Sequence, residues 1–445
     1  MASTTTSRRT FLSLALGLPA GAALAACGTS GPSGTGGGGG PGANASYWYL
    51  TGQPQEGIRV DAVKRFNAAN PSSQITATGF QNDAFKTKIK TAIGAGQAPT
   101  LIWGWGGGTL RSYAKAGQVD DLTSWFAENP AIKSRLLPTS FDAATVDGKL
   151  YAMPCETVQP IVLFYNKKVF DSVGAQPPQS WGELMALVTT FNNKNIAPFS
   201  LGGQSRWTNM MWLEFLFDRI GGPEVFHAIF AGEKNSWSNP GAIEALTKLQ
   251  DLVKANGFIK GFSSITADSN ADQALLYTGR AAMMLHGSWS YGIQQTNGGD
   301  FVSGGSIGFQ SFPPVEGGKG DPSNTVGNPA QYISISAKAS ADEKKIAKQY
   351  LTTGVLADDE VKAWIATGGV PVVQGTDSQL AASKDAKFLQ FIYNTASKAK
   401  AFGQSWDQAL SPTAAEALLD NISKLFQLTL SPQQFADNMN AVIGQ

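Results

Sequence analysis

Gly304-Gly305-Ser306-Ile307-Gly308 has the Gly-x-Ser-x-Gly form of a turn that presents a nucleophilic serine, but that geometry needs a histidine later in the chain. Both histidines, His227 and His286, precede Ser306, so the match reads as coincidence. Glycines 104, 106, 107 and 108 follow an apolar run as in a dinucleotide-binding turn, yet the third fingerprint glycine would fall at Thr109. Two cysteines and two histidines exclude a disulfide framework and a cysteine-rich zinc site and leave few donors for a catalytic metal. No metal and no cofactor is expected. The side chain present in quantity is tryptophan, eleven in 445 residues, which supplies broad flat apolar faces to a binding site.

A chain of 445 residues with 42% apolar and 15% charged positions is globular in composition, and at about 100 to 200 residues per domain it implies two lobes. Lys plus Arg (34) against Asp plus Glu (33) leaves a formal +1, so nothing drives binding to phosphate backbones and nucleic acid is not an expected partner. Arg8 and Arg9 precede the apolar stretch Phe11 to Ala26, which Gly17, Pro19 and Gly21 interrupt and which falls short of the roughly 20 residues of a membrane span. Ser7-Arg8-Arg9-Thr10-Phe11-Leu12 resembles a twin-arginine export signal, with Ser13 where a lysine often follows; a general secretory route stays open. Leu24-Ala25-Ala26-Cys27 resembles a bacterial lipobox. Residues 1–26 therefore read as an export signal and Cys27 as a lipidated N-terminus anchored to the outer face of the cell membrane. Loss of Arg8 and Arg9 would turn the formal charge to −1 and leave Cys155 without an intrachain partner, as a buried free thiol. Residues 27–46, with the run Gly36 to Gly40, read as a flexible tether; no strand precedes that run and no Lys-Ser/Thr follows it, which removes a phosphate-cradling role.

From Tyr47 the chain alternates strand and helix patterns three times: 47–50 then 58–69, 75–78 then 84–93, 101–105 then 110–116. That is the pattern of a parallel α/β sheet. Strand patterns at 150–153 and 161–165 open a second block, with helices at 181–192, 210–220, 243–255 and 271–277 and a strand at 281–285. After the Gly-rich stretch 298–328, a strand at 332–336 and a helix at 342–351 resume the first block, which makes each lobe discontinuous.

Leu101-Ile102-Trp103-Gly104-Trp105-Gly106-Gly107-Gly108, Phe164-Tyr165-Asn166-Lys167-Lys168-Val169-Phe170, Ala281-Ala282-Met283-Met284-Leu285-His286-Gly287-Ser288-Trp289 and Gly368-Gly369-Val370-Pro371, with the export signal, lipobox and tether, resemble the family 1 extracellular solute-binding proteins of ABC importers. The similarity runs over nearly the whole mature chain. It implies an α/β two-lobe Venus flytrap of the periplasmic-binding-protein type, each lobe a mixed, mainly parallel sheet flanked by helices. Lobe one would be 47–155 plus 328–371 and lobe two 156–327 plus 372–445, with a sugar between them and ABC transporter permease subunits as partners. Trp-Gly-Gly-Gly after the third strand and Asp268 to Leu275 are similar to actinobacterial xylobiose-type proteins, which makes a xylo-oligosaccharide or other short oligosaccharide the first expectation.

A sugar has apolar C–H faces and a rim of hydroxyls, so its site needs flat aromatics and bidentate polar side chains. Trp289 follows a strand and a Gly-Ser turn, where the maltose-type relatives place a stacking indole. Trp406 sits among polar neighbours, Gln404-Ser405-Trp406-Asp407-Gln408. Arg206 and Trp207 fall near a helix N-terminus at a strand's C-terminal end, where open α/β sheets bind ligands. Of Trp103 and Trp105, which flank Gly104, only one is expected to face the cleft, and Trp105 lies nearer the strand end. Gln53, Asn82, Asp83, Glu156, Asn209, Asn328 and Asp407 are the polar candidates, each where the chain leaves an element. Trp125, Trp181, Trp212 and Trp364 fall in helical patterns and should pack. The expectation is a monomeric, non-catalytic receptor. Two other readings stay open: a secreted glycoside hydrolase, whose carboxylate pair needs no motif, and a surface interaction protein that kept the fold.

Overall fold

The computed structural model describes residues 43–444. The export signal, Cys27 and the tether up to residue 42 lie outside them. The strands are β1 (Ala43–Leu50), β2 (Ser73–Phe80), β3 (Leu101–Gly104), the hairpin β4 (Thr145–Val146) and β5 (Lys149–Leu150), β6 (Met153–Cys155), β7 (Thr157–Asn166), β8 (Ala197–Phe199), β9 (Ala281–Gly287), β10 (Ile307–Gln310), β11 (Thr325–Asn328), β12 (Gln331–Ile335), β13 (Val370–Pro371) and β14 (Phe402–Gln404). Residues 43–46, expected in the tether, are sheet: Ala45 is buried and Ala43 to Leu50 register with Ser73 to Phe80.

Lobe one is built on a mixed sheet of order β2-β1-β3-β12-β6. In β1, Ala45, Tyr47 and Tyr49 are buried while Ser46, Trp48 and Leu50 are half-buried, the period-2 alternation of a strand covered more deeply on one face. β1 is parallel to β2 and β3, and helices Gln55–Ala69 and Asn82–Gly94 make the crossovers. They bury Ile58, Ala62 and Phe66, and Phe85, Ile89 and Ile93, spacings of four that give each helix a single apolar stripe.

Lobe two holds the second mixed sheet, β14-β11-β7-β9-β8, with β10 and β13 also paired to β7. Ile161 and Leu163 of β7 enter one core, Val162 and Phe164 the other, so this strand is buried on both faces and reads as a continuous apolar run. One core surrounds the first sheet and reaches one face of the second; the other fills the opposite face beneath helices Trp181–Asn193, Trp207–Gly221, Pro240–Lys254 and Pro412–Phe426. Against expectation the second sheet is mainly antiparallel, since β9, β10, β11 and β13 all run against β7. Only β8 with β9 and β11 with β14 are parallel. Short segments returning from distant parts of the chain fill positions that crossover helices would otherwise connect.

The chain passes between the sheets at Glu156, between β6 and β7, and again between β11 and β12. Asn328, expected to open the returning segment of lobe one, instead ends β11 of the second sheet. Glu156 has φ 61°, a conformation that costs a non-glycine residue roughly 1 to 3 kcal/mol. Its carboxylate offsets this by taking the Arg59 guanidinium with both oxygens at 2.7 Å. Cys155 beside it is a buried free thiol.

Candidate functional site

β3, β9 and β11 end at one cavity of about 330 Å³, so the residues just past three strand ends converge on it. Lobe one contributes Gln55 and Arg59 from the first helix, Asn82 and Lys86 from the second, and Trp103 and Trp105 from the end of β3. Lobe two contributes Trp207, Met210 and Met211 from one helix turn, Gln273, His286 and Trp289, Asn328, and Ser405, Asp407 and Gln408. Four indoles and two thioethers form the apolar walls, and amides and hydroxyls fill the spaces between them.

The rings are held at fixed angles. Trp103 and Trp105 meet edge to face at 4.6 Å between centroids, with Lys86 Nζ 5.1 Å above Trp105. On the other side His286 stands edge-on to both Trp207 (5.4 Å) and Trp289 (5.3 Å), spacing the two indoles at 6.1 Å. His286 is itself fixed by Ser290 Oγ, 2.5 Å from Nδ1. Four buried lining atoms have no hydrogen-bond partner among the described residues: Trp207 Nε1, Gln273 Oε1, Asn328 Oδ1 and His286 Nε2, the last facing Asp272 Oδ2 at 3.4 Å. Buried polar atoms are rarely left so, and these suit a ligand that both donates and accepts hydrogen bonds.

Contacts between the lobes surround the cavity. Lys86 Nζ pairs with Asp407 Oδ2, Ser205 Oγ donates to Asp83 Oδ2 at 3.0 Å, and the Asp83 N–H donates to Asp268 Oδ2 at 3.1 Å. Gln55 Nε2 donates to the Trp289 carbonyl, and Gln404 Nε2 to that of Trp105. Burial, followed by the nearby Asp83 charge, raises the Asp268 carboxyl above the usual carboxylate range. Among the described residues no group of three or more His, Cys, Asp or Glu is arranged to hold a metal, and no helix is long and apolar enough to cross a membrane.

Of the residues singled out from sequence, the structure brings Trp289, Trp207, Trp105, Asn82, Asn328 and Asp407 to the cavity. It does not bring the other six. Trp406 is core, 1% exposed and packed against Phe217, Phe226 and Trp237; only its neighbours Ser405, Asp407 and Gln408 face the cavity. Arg206 turns outward to Glu416 and Asp420. Gln53 is exposed, its side-chain oxygen lying over Gly57. Asn209 is buried under Gly203. Asp83 joins the lobes, and Glu156 lies one layer behind, holding Arg59 and the Trp103 N–H (2.7 Å). Trp103 lines the cavity together with Trp105, against the expectation that only one would, because residues two apart along a strand share a face. Gln55, Arg59, Lys86, Gln273 and His286 were missed. The helical ones sit at polar positions that periodicity assigns to solvent, and no spacing marks them.

Comparison with known proteins gives one consistent picture. The model of the bacterial extracellular solute-binding protein family matches residues 51–367. A probable sugar-binding periplasmic protein of Mesorhizobium japonicum is 24% identical over 89% of this chain and 92% of its own. A solved structure from work on xylan utilization by Caldanaerobius polysaccharolyticus is 31% identical, with a TM-score of 0.81 over 90% of this chain and 100% of that one. A chitin oligosaccharide binding protein, 24% identical, shares the fold with a TM-score of 0.81 over 91% of this chain and 98% of its own.

Proposed function

The chain belongs to the bacterial extracellular solute-binding protein family, and from that premise we propose that it captures a short oligosaccharide, a xylo-oligosaccharide first among candidates, and delivers it to an ABC importer. The observation that carries this reading is the cavity wall of Trp103, Trp105, Trp207 and Trp289, with unpartnered amide and indole polar atoms between the rings. Stacked indoles take the C–H faces of a pyranose, and the polar atoms take its hydroxyls. The xylan-linked neighbour at 31% identity supports the choice of xylose units.

In this reading the two lobes, one built on each sheet, close on the sugar. Binding energy is used for closure and none to break a bond, and the closed form is what the permease subunits recognise. The receptor acts as a monomer held at the outer face of the membrane through a lipid on Cys27. A thermal-shift screen of the purified protein against neutral mono- and oligosaccharides tests the reading. A ligand at 100 times its dissociation constant should stabilise by about 2.7 kcal/mol. A screen in which no sugar shifts the melt would refute it.

A further inference from the structure

We propose that this site selects neutral sugars and rejects those carrying a carboxylate, and that Glu156, outside the cavity wall, sets this selection through Arg59. The inference rests on the sugar-binding reading above. Among the described residues the charged side chains lining the cavity are Arg59, Lys86, Asp268 and Asp407. Both cations are already paired with carboxylates. Glu156 fills the Arg59 fork through Nε and Nη2, both at 2.7 Å, and Nη1 donates to the Leu50 carbonyl at 2.8 Å. Asp407 takes Lys86 at 2.8 Å.

Behind these pairs the balance turns negative. Asp83 stands against Asp268, so the carboxylates Asp83, Glu156, Asp268 and Asp407 outnumber the two cations they surround. An acidic sugar entering this wall meets a guanidinium already neutralised and carboxylates of its own sign. A hydroxyl instead meets Trp207 Nε1, Gln273 Oε1 and Asn328 Oδ1, which have no other partner among the described residues. Glu156 is thus a positioning residue with an electrostatic role. Arg59 and Glu156 side chains are 8% and 3% exposed, so replacing the carboxylate leaves a buried cation without its counter-charge, a state that a ligand carboxylate would relieve.

The test uses calorimetric titration with three probes: a neutral xylo-oligosaccharide, the same chain bearing a glucuronic acid branch, and the methyl ester of that branch, which matches its size without its charge. Wild type should bind the acid at least tenfold more weakly than the ester, or about 1.4 kcal/mol. Glu156→Gln should reverse the order. Should Glu156→Gln not fold, Asp268→Asn, at a half-buried position, should shrink the acid's penalty. Equal binding of acid and ester by wild type, or an unchanged ratio in the folded variants, would overturn the proposal while leaving the sugar reading intact. If no neutral oligosaccharide binds, the sugar reading fails first and this proposal with it.

Discussion

Lys86 Nζ lies 2.8 Å from Asp407 Oδ2, so two residues 321 positions apart join the two lobes beside the cavity they both line. Lys86 stands on the second helix of lobe one, and Asp407 on the short turn that Glu214 fixes by accepting the Trp406 N–H at 2.6 Å. The pair can form only when the lobes are together, which makes it a contributor to closure rather than to either lobe alone.

Lys86→Met keeps the stem over Trp105 and removes the charge. With Lys86 28% exposed, the pair should be worth about 1 kcal/mol or less, and sugar affinity should fall by roughly two- to fivefold. Small-angle scattering of the unliganded variant should show a larger radius of gyration than wild type. Equal affinity and equal radius would show that the ion pair does not hold the lobes together.

Trp289 and Trp406 should answer alanine in opposite ways. Trp289 is half-buried against the cavity, so Trp289→Ala should cost at least about tenfold in affinity, or 1.4 kcal/mol, and leave the unliganded melting temperature nearly unchanged. Trp406→Ala removes a buried indole and should destabilise by about 3 to 5 kcal/mol. Trp181, 6% exposed and packed beside Phe312, should behave as Trp406 does. Melts and titrations of the three variants decide the assignment, and wild-type binding by Trp289→Ala would remove it from the site.

Burial raises the Glu360 carboxyl from 4.5 to about 7, partly offset by the Trp364 and Leu356 N–H donors. Between those values the folded protein keeps a proton that the unfolded chain releases. This group's contribution to stability is therefore largest below pH 4.5 and is lost as pH rises to about 7, by up to about 1.4 kcal/mol per pH unit. Glu360→Gln has no such proton to lose. Urea unfolding at pH 5, 6 and 7.5 should show the variant gaining on wild type as pH rises; parallel curves would contradict this.

The elements were legible because their signals are local. Phe85, Ile89 and Ile93 announce one buried helix face, and β9 is a bare apolar run ending in Gly287-Ser288-Trp289. Trp105, Trp207 and Trp289 were readable for the related reason that they follow strand ends. Trp406 was not, because the turn it occupies sends Ser405 and Asp407 to the cavity and the indole into the core, a division made by Phe217, Phe226 and Trp237 from far along the chain. Nothing in the sequence around Lys86 or Gln273 hints at the opposite lobe or the cavity. The antiparallel character of the second sheet was hidden too, since it depends on segments as short as Val370–Pro371 pairing with β7.

Cys27→Ala should release the protein from membranes to the soluble fraction. A lipidated cysteine carrying two or more chains anchors stably where a single chain holds only marginally. Membrane fractionation checks it, and a variant that stays membrane-bound would rule out anchorage through this residue.

The most direct measurement of the central claim is calorimetric titration of the purified protein with xylobiose and xylotriose, followed by chromatography of the recovered sugar. The account predicts saturable binding of one sugar per chain and recovery of the oligosaccharide intact. Absence of binding by these and other neutral oligosaccharides, or release of monosaccharide above that of a heat-killed control, would contradict it.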